Sequence, residues 1–315
     1  MKEHYVTIFD SFFLPQGIAL HSSLETHAEN YFLWVICVDD EAYRILTLLN
    51  LPNLRPIKLC DVETPELLKV KQERTNREYC WTFTSFAPDF VFKLNDKVNR
   101  VTYLDADLFF LKSPAPIFKE FYDSGKNVLI TDHGYAPEYD RSASSGQYCV
   151  QFMIFNRYGG ENVRRWWQER CLEWCFDRFE DGKFGDQKYL DHWPELFNED
   201  VHVLQNQHFT LAPWNATRFP FGGGIFYHFQ GFRILKDLAV DLAFYPLPAV
   251  LINGVYDKYI QKIHEACLLL EGIGFTVKPQ RDRLGIRKLV RLYISGIYSQ
   301  FWRFKVRNIV NIKIK

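Results

Sequence analysis

Val101-Thr102-Tyr103-Leu104-Asp105-Ala106-Asp107-Leu108-Phe109-Phe110-Leu111 is the stretch whose reading decides the fold. β-Branched and aromatic residues from Val101 to Tyr103 predict a strand buried on both faces, as in a parallel sheet. Such a strand delivers Asp105 and Asp107 at its carboxyl end, where open α/β sheets bind ligands. Two carboxylates one residue apart repel each other and attract a cation. A hard divalent ion bridging them to a diphosphate would meet that need. Two solvated acids capping a strand end would account for the same tripeptide.

The flanking segments place this strand in an alternating pattern. Residues 5–9 predict a first strand, ended by Asp10-Ser11, and Pro15 suits the start of a helix reaching about His27. Residues 31–38 and 54–62 predict two further strands, separated by a helix to Asn50. Thr64-Pro65-Glu66 opens another helix, and residues 79–94 predict an aromatic-rich one. Beyond the acidic pair come a short helix over 114–122, strands over 127–132 and 148–156, and an amphipathic helix over 160–179. The implied class is α/β, with a mostly parallel sheet flanked by helices. Residues 1–250 read as one domain and 251–315 as a basic, helical C-terminal extension.

Aromatic residues make up 17% of the 315-residue chain, a surplus commonly used for stacking on carbohydrate or bases. The net charge is zero but unevenly spread: residues 276–315 carry five lysines and six arginines against the single acid Asp282. In that tail Ile286, Leu289, Val290, Tyr293, Ile297, Phe301 and Phe304 fall near one helical face, with Arg287, Lys288, Arg291, Arg303 and Arg307 on its flanks. This predicts an interfacial helix, with residues 279–315 meeting an anionic membrane surface; a helix packed on the body with a solvated basic side fits the same pattern. No nucleic-acid-binding module accompanies the charge, so nucleic acid is not expected as a partner. The seven cysteines include no zinc spacing, and Cys171 and Cys175 read as core. Their apolar settings, the absence of a leader before the first strand and the lack of an uncharged apolar run of about 18 residues predict a cytoplasmic protein, peripheral on the membrane's inner face.

Three more fragments join the acidic pair: Gly185-Asp186-Gln187, Pro213-Trp214-Asn215, and Ile225-Phe226-Tyr227-His228-Phe229-Gln230-Gly231. In this order they resemble the nucleotide-sugar glycosyltransferases of the GT-A fold. The closest likeness is to glycosyltransferase family 8, which includes glycogenin and bacterial lipopolysaccharide galactosyl- and glucosyltransferases. The likeness covers residues 5–235 and implies a metal-dependent transferase. It would move a sugar from a nucleotide sugar, UDP-linked in this family, to a saccharide or lipid-linked acceptor with retention of configuration.

The resemblance makes Asp105, Asp107 and His228 ligands of Mn2+ (or Mg2+), with Gly231 letting backbone approach a phosphate. Asp186 would hold sugar hydroxyls and Gln187 would lie beneath the anomeric carbon. Alternatively, Gly185-Asp186 caps the helix that follows. Phe9, Asp10 and Ser11 take the nucleobase and ribose positions, and Arg77, near the Cys80-Trp81 pair, a phosphate or sugar contact. Gln151 stands in for an Asn-x-Gly that lacks a clean match. Lys236 lies near the family's phosphate-binding lysine, though Asp237-Leu238 replaces the Lys-Pro-Trp ending. A haloacid-dehalogenase-like phosphatase also ends a strand with Asp-x-Asp, but usually its first strand; a non-catalytic nucleotide-binding module is the third reading.

Overall fold

The computed structural model describes residues 2–235, 239–242, 244–280 and 309–311. Seven strands form the large sheet: β1 (Glu3–Phe9), β2 (Tyr31–Cys37), β3 (Leu54–Lys58), β4 (Arg100–Leu104), β6 (Val128–Asp132), β7 (Tyr148–Asn156) and β8 (Val201–Val203). They lie in the order β3-β2-β1-β4-β7-β6-β8. All run parallel except β7, which is antiparallel to both its neighbours. The carboxyl ends of β1, β2, β4 and β6 therefore share one edge of the sheet, where β7 begins. Helices cover both faces, as the apolar runs of β2 and β7 require.

A second sheet of β5 (Leu108–Phe110), β10 (Phe226–His228) and β9 (Thr210–Leu211) leaves the first at the acidic pair. Asp105-Ala106-Asp107 is thus the turn between two sheets, closed by Leu108 N–H donating to the Asp105 carbonyl at 3.2 Å. A third small sheet joins β11 (Arg233–Ile234), β12 (Ala239–Asp241) and β13 (Ile309–Asn311). The expectation of helix to the chain's end therefore fails at residues 309–311, where the β-branched pair Ile309-Val310 favours an extended strand. The other residues proposed for a membrane-facing helix, from Arg281 onward, lie outside those described, as does Lys236.

Other expected elements differ in length. The third strand stops at Lys58 and passes into a short 3-10 turn. The single aromatic helix is two, Asn76–Thr84 and Ala87–Leu94, since Pro88 suits only a first turn. The amphipathic helix ends at Glu173, because Trp174 is extended and the chain then turns through Asp181 and Gly182 with positive φ. The helix Asp257–Gly272 packs against Leu14–His27, and its Tyr259 and Ile263 join the core around Phe109, Tyr227 and Phe229. Past it, Gln280 acts as a clasp. Its side chain donates to the Phe12 carbonyl at 2.6 Å and accepts from Gln16 at 2.9 Å and Ile234 N–H at 3.1 Å.

Candidate metal and donor site

The site forms where the two sheets part. β10 pairs antiparallel with β5 so that His228 stands opposite Leu108, and Phe229 N–H donates to the Asp107 carbonyl at 2.8 Å. This pairing brings His228 beside the acids despite their separation in sequence. His228 Nε2 lies 3.1 Å from Asp107 Oδ1 and 3.6 Å from Asp105 Oδ2. The ligand atoms of all three residues lie within 4.8 Å of one another. Tyr103 Oη donates to Asp105 Oδ1 at 3.0 Å, fixing that carboxylate from behind.

On its other side, His228 Nδ1 meets Gln151 Oε1 at 2.8 Å. An amide oxygen can only accept, so Nδ1 carries the proton and Nε2 faces the acids. Gln151 is buried in β7, and its backbone carbonyl accepts from Asp105 N–H at 3.0 Å. Gln151, expected in place of the family's Asn-x-Gly, thus supports the Asp105–Asp107–His228 cluster from within the sheet. Trp214 packs edge-on against His228 at 5.3 Å. The buried Asn215 accepts from Ala212 N–H and donates to the carbonyls of His133 and Thr210, pinning the loop that carries Trp214.

A third carboxylate faces the same space. Asp186 is 3% exposed, and its Oδ2 has no hydrogen-bond partner. Its backbone carbonyl accepts from Trp167 Nε1 at 2.8 Å, and Gly185 before it adopts a φ of +52° against the Trp81 ring. Gln187, not Asp186, is the residue before the 3-10 turn Lys188–His192, and neither side chain caps it. Gln187 Nε2 instead donates to the Ser145 carbonyl at 2.6 Å.

Burial and then the Asp105 charge push the Asp186 carboxyl well above the usual range. Burial also raises Asp105, assisted by Asp107 and opposed by His228. Burial alone would raise Asp107 too, but His228, with help from Arg233, pulls it below its ordinary value. Conversely, burial works against a charged His228, while Asp107 and Asp105 outweigh it and hold the imidazole above its ordinary value. Two part-buried carboxylates and one buried imidazole make a donor set fitted to a divalent ion of the Mn2+ or Mg2+ type, with the buried Asp186 carboxyl close enough to feel the Asp105 charge.

The nucleotide-end residues are placed unequally. Asp10 sits at the carboxyl end of β1, accepts from Phe12 N–H at 3.0 Å, and is raised by burial and then by Asp39. Ser11 donates through both N–H and hydroxyl to Asp39 Oδ2, at 3.0 and 2.7 Å. The Phe9 ring is buried in the core, so close over Gly17 that a Cβ there would come within 2.3 Å of it. Arg77 is exposed and ion-paired with Asp177 at 2.8 Å. Gly231 adopts a φ of +87°, the left-handed conformation that favours glycine. The reading from sequence missed Arg233, whose guanidinium lies over the Phe13 ring at 5.4 Å and whose charge reaches Asp107. Its signal was a cation five residues after His228.

No protein-family model matches the chain. The uncharacterized protein YfnF of Bacillus subtilis is 32% identical over 256 residues, covering 75% of this chain and 84% of YfnF. The uncharacterized protein YfnD of the same organism is 31% identical over 268 residues, 77% of this chain and 82% of YfnD. Among solved structures, the galactosyltransferase LgtC, in complex with donor and acceptor sugar analogs, superposes with a TM-score of 0.51 at 14% identity, over 83% of this chain and 95% of LgtC. The glycosyltransferase GlyE of Streptococcus pneumoniae gives 0.51 at 16%, over 89% of this chain and 66% of GlyE. The bifunctional glycosyltransferase WbbM gives 0.54 at 15%, over 88% of this chain and 52% of WbbM. At such identities the likeness is one of fold, and that fold is GT-A.

Proposed function

The chain belongs to the same family as YfnF and YfnD, and from that membership, its GT-A fold and its Asp105–Asp107–His228 cluster we propose that it is a metal-dependent glycosyltransferase. The observation that carries the reading is the cluster itself, part-open to solvent at the carboxyl edge of the sheet, with the buried Asp186 carboxyl near Asp105. The donor is a nucleotide sugar, UDP-linked, and the acceptor a saccharide or lipid-linked saccharide of surface polysaccharide or lipopolysaccharide assembly. WbbM, GlyE and LgtC are glycosyltransferases by name, which supports the class of reaction without naming this chain's substrates.

Asp105, Asp107 and His228 would hold Mn2+ or Mg2+, which supplies Lewis-acid neutralisation of the diphosphate as it leaves. Gln151 and Tyr103 keep two of those ligands in orientation, limiting reorganisation during the reaction. Asp10 and Ser11 stand where the base and ribose would bind. Asp186 offers an acceptor to sugar hydroxyls. Gln187, its amide nitrogen held by Ser145, offers a weak dipole near the anomeric centre in place of a strong nucleophile, as suits transfer with retention.

Mn2+-dependent release of UDP from a panel of UDP-sugars, without acceptor, tests the reading. Asp105→Asn and Asp107→Asn should each lower the rate by about 100-fold or more, with the melting temperature retained. Wild-type rates in excess EDTA would overturn the metal assignment. Release of inorganic phosphate in place of UDP would favour the phosphatase reading, and UDP binding without turnover the non-catalytic one. The charge of the segment from Arg281 onward supports a second element of the proposal, attachment to anionic membrane. Protein ending at Gln280 should then lose salt-sensitive binding to anionic vesicles that the full chain shows.

A further inference from the structure

The order of strands fixes a direction along the active edge. Asp10 follows β1, the acidic pair follows β4, and His133 follows β6, with the start of β7 between the last two. A donor with its base at β1 and its diphosphate at β4 directs its sugar toward β7 and β6. Any acceptor must approach from that side.

An aromatic shelf stands there. The rings of His133 and Tyr135 stack at 4.6 Å with 11° between their planes, and His133 meets Trp214 edge-on at 5.1 Å. Trp214 in turn touches His228, so the shelf joins the metal cluster directly. Tyr139 meets Tyr245 edge-on at 5.3 Å, and Tyr135 and Tyr245 pack on the floor of Cys149, Ala212 and Trp214. The loop is pinned by Ala136 N–H to the Trp214 carbonyl at 3.1 Å and Trp214 Nε1 to the His133 carbonyl at 2.7 Å. Yet Tyr135, Tyr139 and Tyr245 each remain part-exposed. Rigidly held, half-open rings beside a polar reaction centre suit a ligand with one apolar face and many hydroxyls.

We propose that Tyr135, Tyr139 and Tyr245, floored by Trp214, form the acceptor subsite and take a pyranose ring by stacking against its C–H face. The inference rests on the glycosyl-transfer reading above, and its test separates the two. Saturation-transfer NMR with a panel of methyl hexopyranosides reports binding without donor or turnover. Steady-state transfer to whichever glycosides bind then gives the acceptor and donor KM values separately. Tyr135→Ala and Tyr245→Ala should weaken glycoside binding and raise the acceptor KM by about tenfold or more, the scale of one lost ring contact, with the donor KM held. Tyr135→Phe and Tyr245→Phe, which keep the ring, should bind nearly as the native protein does. An unchanged acceptor KM in both alanine variants would overturn the subsite. So would phenylalanine variants as weak as the alanine ones, or a native protein that binds no methyl hexopyranoside. If donor turnover is absent but glycosides bind and the alanine variants lose them, the transferase reading fails and the saccharide subsite stands.

Discussion

His228 is where the chemistry of single residues is most exposed to test. Gln151 fixes its proton on Nδ1, so Nε2 is the atom that either binds a second proton beside Asp107 or binds a metal. A histidine whose pKa is raised on folding stabilises the protein fully below its ordinary value and loses that contribution as pH climbs through the raised one. The depressed Asp107 works in the other direction, losing its contribution as pH falls through its lowered value. Metal must displace the His228 proton, so apparent Mn2+ affinity should rise as pH climbs above the ordinary imidazole value of 6.5, because Asp107 and Asp105 hold that proton more tightly than usual. Affinity that stays flat above that value would contradict the assignment of Nε2 as a ligand. Gln151→Leu should raise the Mn2+ concentration for half-maximal activity by about 10- to 100-fold without abolishing turnover, because it removes the partner behind the ligand. The acidic pair and His228 were legible in sequence because their chemistry lies in residue type and order. Gln151 was not legible in this role, because it acts through the register between β4 and β7, which no local pattern records, whereas Tyr103 reaches Asp105 only two residues along the chain.

At the scale of elements, short loops held by backbone hydrogen bonds position the site, and helices serve mainly as cover. Gly185→Ala would force a side chain into the left-handed region and against Trp81, at 3.2 Å from its ring. A cost of about 1–3 kcal/mol and a displaced Asp186 are expected. Thermal unfolding should show the loss, and donor turnover should fall by more than stability alone explains. Asn215→Ala would leave Ala212 N–H and the Thr210 carbonyl short of a partner among buried residues, while the His133 carbonyl keeps its bond from Trp214 Nε1. About 2–4 kcal/mol of destabilisation follows, since unpaired buried groups cost more than a hydrogen bond gains. A variant as stable as the native chain would show that water or a shifted loop takes over those bonds. Helix and strand existence was legible from periodicity, but several ends were not. Trp174 and Phe86 continue an apolar pattern past the point where backbone geometry breaks it.

Across the whole molecule, charge and topology meet at Gln280. This residue clasps the segment after Asp10 to β11, joining the proposed nucleotide end of the site to the strand that follows His228. Truncation before Pro279 should therefore differ from truncation after Gln280. The shorter protein loses the clasp and should show a higher donor KM and a lower melting temperature than the longer one. Equal behaviour of the two would mean that the clasp holds nothing the donor needs. The basic tail was plain from composition, yet its junction with the body was not, because Gln280 is anchored by contacts to Gln16 and Phe12, more than 200 positions earlier.

The reversed strand β7 carries a consequence of its own. Because it runs against its neighbours, Gln151 comes from inside a strand paired on both sides, while the aromatic shelf hangs on the loops beyond. Amide protons at Gln151 and its β4 partners should exchange with deuterium only through opening of the entire sheet, at rates set by global stability. Those around Tyr135 and Tyr139 should exchange far sooner, through small local openings. The half of the site that holds the metal would then keep time with the fold itself, and the half that receives the incoming sugar would keep its own.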